Sequence, residues 1–404
     1  MQLIERYLRM MVEMGGSDVH FKCDTGKAYV RVDGDLFRDE TWPTFTPEEF
    51  DTSLFALLKP PQVRKYKHDL ELDFAVEVPE LARFRGNCYQ QRGQTQAAFR
   101  VIPYEILSME ALALPPACYE FIQKPRGLVL VTGPAGCGKS TTLASMIDRI
   151  NRSQPLHIMT VEDPIEFVHD DHIALINQRE LDVDTTSFAN ALKHVLRQDP
   201  DVILVGEMRD LETIHLAITA AETGHLVFAT LHTVDCVQTV DRIVDVFPMY
   251  QQQQIRMQLS VNLVGVISQT LLRRADKGRV AAMEVMVSTG AVRNLIRENK
   301  SYQIASLIQT GARANMNTLD QSIAVHVLQG TVTYKEGKSK SKDPGEFDRL
   351  LQLSGFGFDL DTNGAQAVKK PLPPSPFQQS GGNAEAPPRQ SVRGQPNRPG
   401  YRRD

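Results

Sequence analysis

The chain has 404 residues, 42% hydrophobic and 23% charged, with a formal net charge of −4 and an isoelectric point near 6.2. That length leaves room for two or three domains with substantial cores, and that charge argues against binding nucleic acid or anionic lipid through a global basic field. The five cysteines, Cys23, Cys88, Cys118, Cys137 and Cys236, are scattered without a C-x-x-C pair, which argues against a disulfide framework or cysteine zinc site and fits reduced cytosolic thiols.

Met1–Met10 is no signal peptide, because charges interrupt every apolar run. It reads as an amphipathic helix with Leu3, Ile4, Tyr7, Leu8 and Met11 on one face. No stretch approaches the ~18 apolar residues of a transmembrane helix, so membrane association would come through a partner. Residues 1–112 are expected to form a mixed α/β domain. Ala28–Val32 alternates and ends at the hairpin signal Asp33-Gly34. Leu72–Val76, Arg83–Tyr89 and Thr95–Val101 suggest an antiparallel sheet, with Arg92-Gly93 as a turn between the last two. Residues 113–126, punctuated by Pro115-Pro116 and Lys124-Pro125-Arg126, read as a linker.

From Gly127 short apolar strands alternate with helices. Strands are expected at Leu128–Val131, His157–Val161, Val202–Val205 and Leu226–Leu231, and helices at Ser187–Arg197 and Leu211–Glu222. This alternation predicts a parallel α/β domain over residues 127–335, with ligands at the carboxyl ends of its strands. The part from about Met249 through Gly330 reads as largely helical. Residues 336–404 are expected to be a mostly disordered tail. Residues 371–400 carry eight prolines, and Arg393, Arg398, Arg402 and Arg403 lie near the end. Phe347, Leu350 and Leu351 suit either a short docking helix or a weakly ordered domain end.

The motif that carries most chemistry is Gly133-Pro134-Ala135-Gly136-Cys137-Gly138-Lys139-Ser140-Thr141, directly after the strand at Leu128–Val131. It fits the phosphate-binding loop G-x-x-x-x-G-K-[ST] in its required strand-to-helix context. Its glycines let backbone N–H groups surround phosphate oxygens at a helix start. Lys139 would neutralise the β- and γ-phosphates of ATP or GTP, and Ser140 would ligate Mg²⁺.

Two carboxylate segments stand at strand ends to organise Mg²⁺ and polarise the attacking water. Ile203–Glu207 resembles the second nucleotide motif, but Gly206 occupies the usual aspartate position and Glu207 follows it. Glu162-Asp163 closes the strand at His157–Val161, with Glu162 assigned to chemistry and, for Asp163, a helix cap or a turn before Pro164 as the competing view. His225 and His232 bracket another strand at a spacing of seven, which suits no common zinc pattern. His232 at the carboxyl end is expected to contact the γ-phosphate or its water. His225 is read as a nucleotide contact, with a satisfied structural histidine as the competing view. The alternating strand Arg83-Phe84-Arg85 either faces solvent or, in a ring of subunits, supplies arginine fingers; Arg85 and Arg100 are the residues assigned to that role. Cys137 is an oxidation site if its thiolate is favoured at the helix start.

Gly133–Thr141, Glu162–Glu166, Gly206–Asp210 and Thr223–Thr233, with Gly16–His20 in the first domain, together resemble the secretion and type IV pilus ATPases over roughly residues 1–335. In that superfamily they stand as the Walker A motif, Asp box, atypical Walker B motif and His box. The chain lacks the tetracysteine insertion of the extension branch, and Ala291–Glu298 is similar to the Ala-Ile-Arg-Asn-Leu-Ile-Arg-Glu motif of the retraction branch. Ala135, Cys137 and the long C-terminal tail make it most similar to the accessory (PilU) branch. The resemblance implies a PAS-like first domain and a RecA-like P-loop ATPase domain assembled as a homo-hexamer, with ATP and Mg²⁺ between the domains. It also implies ATP hydrolysis coupled to type IV pilus retraction and twitching motility, in the cytoplasm, peripheral to the inner membrane. The implied partners are a PilT-like main retraction ATPase and a PilC-like platform protein. The alternative is a nucleotide-binding coupling subunit with little hydrolysis of its own. A nucleic-acid translocase is disfavoured by the low isoelectric point and the lack of a basic, aromatic-rich face.

Overall fold

The computed structural model describes residues 3–32, 34–102 and 105–355. Helix α1 (Leu3–Glu13) buries Ile4, Tyr7, Leu8 and Met11, the face its apolar spacing predicts. Gly16 follows at a close approach, because a Cβ there would lie 2.5 Å from Val30 Cγ1. Strands β1 (Asp18–Lys22), β2 (Lys27–Val32) and β3 (Asp35–Phe37) then lead to helices α2 (Pro47–Leu57) and α3 (Pro60–Asp69). A capping box between Thr46 and Glu49 starts α2. Strands β4 (Glu71–Val78), β5 (Ala82–Gln91) and β6 (Gln94–Ile102) complete an antiparallel sheet of order β3-β2-β1-β6-β5-β4. Tyr7, Phe21, Phe45, Phe50 and Phe99 form its aromatic core, with Phe21 and Phe50 at 5.1 Å between ring centroids. The turn at Arg92-Gly93 stands where the sequence puts it; Asp33 of the expected hairpin lies outside the described residues.

Within the expected linker, α4 (Pro116–Phe121) buries Ala117, Cys118 and Phe121. A side chain at Gly265 would meet the Phe121 ring at 2.2 Å, so this segment is packed core rather than a passive tether. The following sheet is built from β7 (Gly127–Thr132), β8 (His157–Glu162), β9 (Leu175–Glu180), β10 (Val202–Val205), β11 (Leu226–Leu231), β12 (Leu263–Arg273) and β13 (Arg279–Val287). Its order is β13-β12-β7-β11-β10-β8-β9, parallel throughout except for the antiparallel β12–β13 pair. Helices α5 (Lys139–Asn151), α6 (Phe188–Val195), α7 (Leu211–Glu222), α8 (Cys236–Asp245) and α9 (Met249–Asn262) connect and cover it. Ser187 and Asp210 cap α6 and α7 through the backbone N–H groups of Asn190 and Thr213.

Two expectations are corrected here. The stretch from Met249 is helical over more than half its length, but β12 and β13 interrupt it directly after α9. Helix α9 runs straight into β12 with no glycine or proline between, so the change of period carries no punctuation in sequence. The first part of the expected tail, through Leu353, is folded. After α10 (Gly290–Arg297), α11 (Ile304–Thr310) and α12 (Leu319–Leu328), the chain forms α13 (Tyr334–Lys340) and α14 (Pro344–Leu353). Phe347 and Leu351 are fully buried, which selects the docking-helix reading of that segment. The proline-rich stretch 371–400 and Arg393, Arg398, Arg402 and Arg403 lie outside the described residues. Among the described residues no helix is long and apolar enough to cross a membrane.

Candidate nucleotide site

All six residues of β7 are buried, and the strand delivers the chain to a loop that only glycine can make. Gly133 sits at φ 140°, and a Cβ there would stand 2.3 Å from the backbone oxygen of Gln269. Gly136 and Gly138 also have positive φ, at 75° and 90°, before α5 begins at Lys139. Ala135 and Gly136 are exposed at the loop tip, while Pro134 has no N–H to offer and contributes a stiff φ and its carbonyl. Gln269 of β12 braces the loop: its Nε2 donates to the Cys137 carbonyl at 2.7 Å, and its Oε1 accepts from Thr142 Oγ1 at 3.0 Å. Sequence reading missed this residue because its strand was read as helix. Ser140 and Thr141 open α5, half-buried. Cys137 is 3% exposed, and burial pushes its thiol up despite the neighbouring Lys139, so the readily oxidised thiolate expected there is not what the structure provides.

Lys139 Nζ donates to the carbonyls of Gly133 and Pro134 at 2.8 and 3.2 Å and lies 3.5 Å from His232 Nδ1. His232 follows the carboxyl end of β11, and its Nε2 reaches Glu207 Oε1 at 2.9 Å. Arg209 clasps the same carboxylate, with Nε to Oε1 at 2.6 Å and Nη2 to Oε2 at 2.7 Å. Burial raises the Glu207 carboxyl, but Arg209 and His232 outweigh it and hold the group below its ordinary value. Lys139, His232 and Glu207, three residues assigned to the site from sequence, therefore meet, and Arg209, given no role there from sequence, joins them. Gly206 explains why the acid sits one place late: a Cβ there would press to 3.1 Å from Glu162 Cα and the Val161 carbonyl, in close contact with β8.

Glu162 ends β8 and behaves differently. Its Oε1 accepts from Thr160 Oγ1 at 2.6 Å and from Gln178 Nε2 at 3.2 Å. Burial dominates these bonds and pushes the carboxyl up to about 7. Such a group exchanges a proton at neutral pH, as a water-activating base must. It is also a linkage: the folded state holds the extra proton, so this group's contribution to stability falls as pH rises from the ordinary carboxylate range toward 7.

Three residues assigned to nucleotide binding stand elsewhere in the chain. His225 precedes β11, about 20 Å from its carboxyl end by strand rise; its Nδ1 lies 2.9 Å from the Ala220 carbonyl and 3.2 Å from Thr223 Oγ1. The structural-histidine view is the one its surroundings fit. Arg85 and Arg100 face each other across β5 and β6, and Arg100 pairs with Asp18 at 2.7 Å. Among the described residues no hydrogen bond or ion pair joins either arginine to the phosphate loop. The first sheet instead reaches across through Arg83, whose Nη2 meets Glu180 Oε2 at 2.6 Å with side chains 19% and 9% exposed. Glu180 ends β9, in register with Glu162, and also lies 3.4 Å from the Ile165 N–H. Lys65 and Asp182 add an exposed second crossing at 2.8 Å. Because removing Arg83 strands an enclosed carboxylate, Arg83→Ala should destabilise the chain by about 3 kcal/mol, while Arg83→Leu with Glu180→Leu should cost less than either single loss. Urea unfolding of Arg83→Leu, Glu180→Leu and the double variant, beside Arg83→Ala, checks this; a double variant as unstable as the sum of its two singles would contradict it.

Comparison with known proteins places this geometry. The type II/IV secretion system protein family matches residues 61–339. The type IV pilus retraction ATPase PilT of Pseudomonas aeruginosa is 47% identical over 344 residues, which is 85% of this chain and 99% of the relative. The type IV pilus ATPase PilU of the same organism is 35% identical over 358 residues, 88% of this chain and 93% of the relative. A crystal structure of the pilus retraction motor PilT with bound ADP superposes with a TM-score of 0.80 at 44% identity, covering 86% of this chain and 99% of the other. With a glycine-shaped phosphate loop facing an acid–histidine pair at the carboxyl ends of a parallel sheet, the chain belongs to the type II/IV secretion system protein family and, within it, to the type IV pilus retraction ATPases.

Proposed function

We propose that the chain hydrolyses ATP at Gly133–Thr141 and that hydrolysis drives retraction of type IV pili from a hexameric ring. The observation that carries this reading is the contact of Lys139 with His232 and of His232 with Glu207 beside the phosphate loop. On nucleotide arrival Lys139 exchanges the Gly133 and Pro134 carbonyls for phosphate oxygens. Glu162 takes the proton of the attacking water, and Glu207 holds His232 in the tautomer with hydrogen on Nε2, leaving Nδ1 toward Lys139 and the γ-phosphate.

Mg²⁺ fits the start of α5, where Ser140 offers a hydroxyl; among the described residues no group of three acidic, histidine or cysteine side chains could hold an ion without the nucleotide. Bound with ATP, it would neutralise charge on the β- and γ-phosphates. The Glu207 oxygens already face Arg209 and His232, so Glu207 fits orientation of His232 better than direct ligation. Glu207→Gln removes the negative charge that the Arg209 guanidinium and the His232 Nε2–H face. Turnover should fall about 10²-fold while nucleotide affinity changes less than about threefold; steady-state rates and a fluorescent-nucleotide titration measure both.

In a ring, half-buried Arg85 and exposed Arg100 would supply positive charge to a neighbour's nucleotide. The ring would act on the cytoplasmic side, against a platform protein of the PilC kind. The accessory reading, in which the chain works with a PilT-like ATPase, rests on Ala135, Cys137 and the long C-terminal segment. The 47% identity to PilT against 35% to PilU favours a principal motor. Mg²⁺-dependent ATP turnover by the full chain, alone and mixed with a PilT-like ATPase, separates these readings. Turnover alone supports the motor. Turnover only in the mixture, lost with Glu207→Gln, supports the accessory. Nucleotide binding without turnover in either setting leaves a coupling subunit and contradicts the proposal.

A further inference from the structure

We propose that the α13–α14 strap positions the His232 loop through Lys342, a role that rests on the hydrolytic reading above. Asp235 lies three residues after His232 and begins α8, where its Oδ1 accepts from the Gln238 N–H at 2.7 Å. Its Oδ2 accepts from Lys342 Nζ at 2.7 Å, with the Asp235 side chain 6% exposed and Lys342 54% exposed. The cation is solvated on one side, but the carboxylate is enclosed. Removing Lys342 leaves Asp235 with a helix cap and little else to offset its charge.

Lys342 is itself fixed in place. Its backbone N–H and that of Asp343 donate to the two carboxylate oxygens of Asp320 at 2.7 and 3.0 Å. Asp320 lies in the first turn of α12 and is 6% exposed. Phe347 and Leu351 anchor α14 from beneath, and Lys338 pairs with Asp348 between the two helices at 2.7 Å. The strap thus holds Lys342 by backbone bonds on one side and core packing on the other.

From Asp235 the fixation reaches the site over short contacts. Thr239 Oγ1 donates to the Asp235 carbonyl at 2.7 Å and lies 2.6 Å from Thr233 Oγ1, next to His232. The same hydroxyl is 3.4 Å from Thr132 Oγ1, at the residue before Gly133. The Cys236 N–H donates to Glu284 Oε1 at 2.8 Å, closing the start of α8 against β13. One ion pair therefore sets where residues 233–239 stand between the histidine and the phosphate loop. Lys342 lies three residues past the span 61–339 that the secretion-family model matches, and α13 lies almost wholly within that span.

Three full-length variants test the proposal: Lys342→Met, Lys342→Arg, and Lys338→Met as a strap substitution that leaves Asp235 paired. Lys342→Met is expected to lower kcat about fivefold with KM and fluorescent-ATP Kd within about twofold, and Lys342→Arg to restore kcat. Lys338→Met is expected to keep kcat within about twofold. Amide hydrogen exchange over residues 233–240 should quicken roughly tenfold in Lys342→Met and stay unchanged in Lys338→Met. Unchanged kcat and exchange in Lys342→Met, or equal losses in Lys338→Met, would overturn the proposal. Absent wild-type turnover would instead overturn the hydrolytic reading, and the exchange data would still decide whether Lys342 holds the loop.

Discussion

Glu162→Gln is expected to lower kcat by about 10³-fold while leaving nucleotide affinity within about threefold. The substitution is nearly isosteric: the amide keeps an oxygen for Thr160 Oγ1 and Gln178 Nε2, so the end of β8 should hold its shape. What it loses is the ability to take a proton. In the wild type, burial pushes this carboxyl up to about 7, so it is mostly neutral at pH 6 and mostly ionised at pH 8. Only the ionised form accepts a proton from water. Turnover should therefore rise as pH increases through about 7, and the residual rate of Glu162→Gln should lose that rise. A series of kcat/KM against pH on both proteins decides the point, because that ratio reports groups of the nucleotide-free chain. A wild-type acid limb near pH 4.5 would mean that a carboxyl with an ordinary value is the base.

Lys139→Ala is expected to remove both binding and turnover, with ATP affinity reduced by at least about 10²-fold. The ammonium is placed for it: carbonyls of Gly133 and Pro134 hold it at 2.8 and 3.2 Å at the mouth of the loop, so it meets the phosphates with little reordering. Without it the loop's N–H groups and the start of α5 remain, and these alone leave the β- and γ-phosphates short of one full positive charge. His232 Nδ1 also loses its cationic neighbour at 3.5 Å. Calorimetric titration of ATP into wild type and variant measures the loss. Wild-type affinity in Lys139→Ala would place the nucleotide elsewhere.

Much of the site is legible in the sequence because its groups stand on short motifs at the ends of apolar strands. The phosphate loop, Glu162, Glu207 and His232 each follow such a strand, and parallel pairing brings those ends together. The rule that ligands meet the carboxyl ends of parallel strands already sets His225 at the far end of β11, and the structure keeps it there. Gln269 was hidden because α9 passes into β12 without a breaking residue. Arg83 and Glu180 lie 97 residues apart, and nothing local in either segment announces their pairing. Lys342 was concealed by composition: its lysine- and serine-rich surroundings resemble a tail, and only the buried Phe347 and Leu351 beyond it reveal a packed strap.

The central claim is that hydrolysis by this chain powers retraction. Its most direct test is pilus retraction in living cells that carry, as their only copy, either the wild-type chain or Glu162→Gln, with ring assembly and nucleotide binding verified for both. The account predicts that wild-type cells extend and retract pili, and that Glu162→Gln cells extend pili and fail to withdraw them. Retraction at the wild-type rate in Glu162→Gln cells would contradict it.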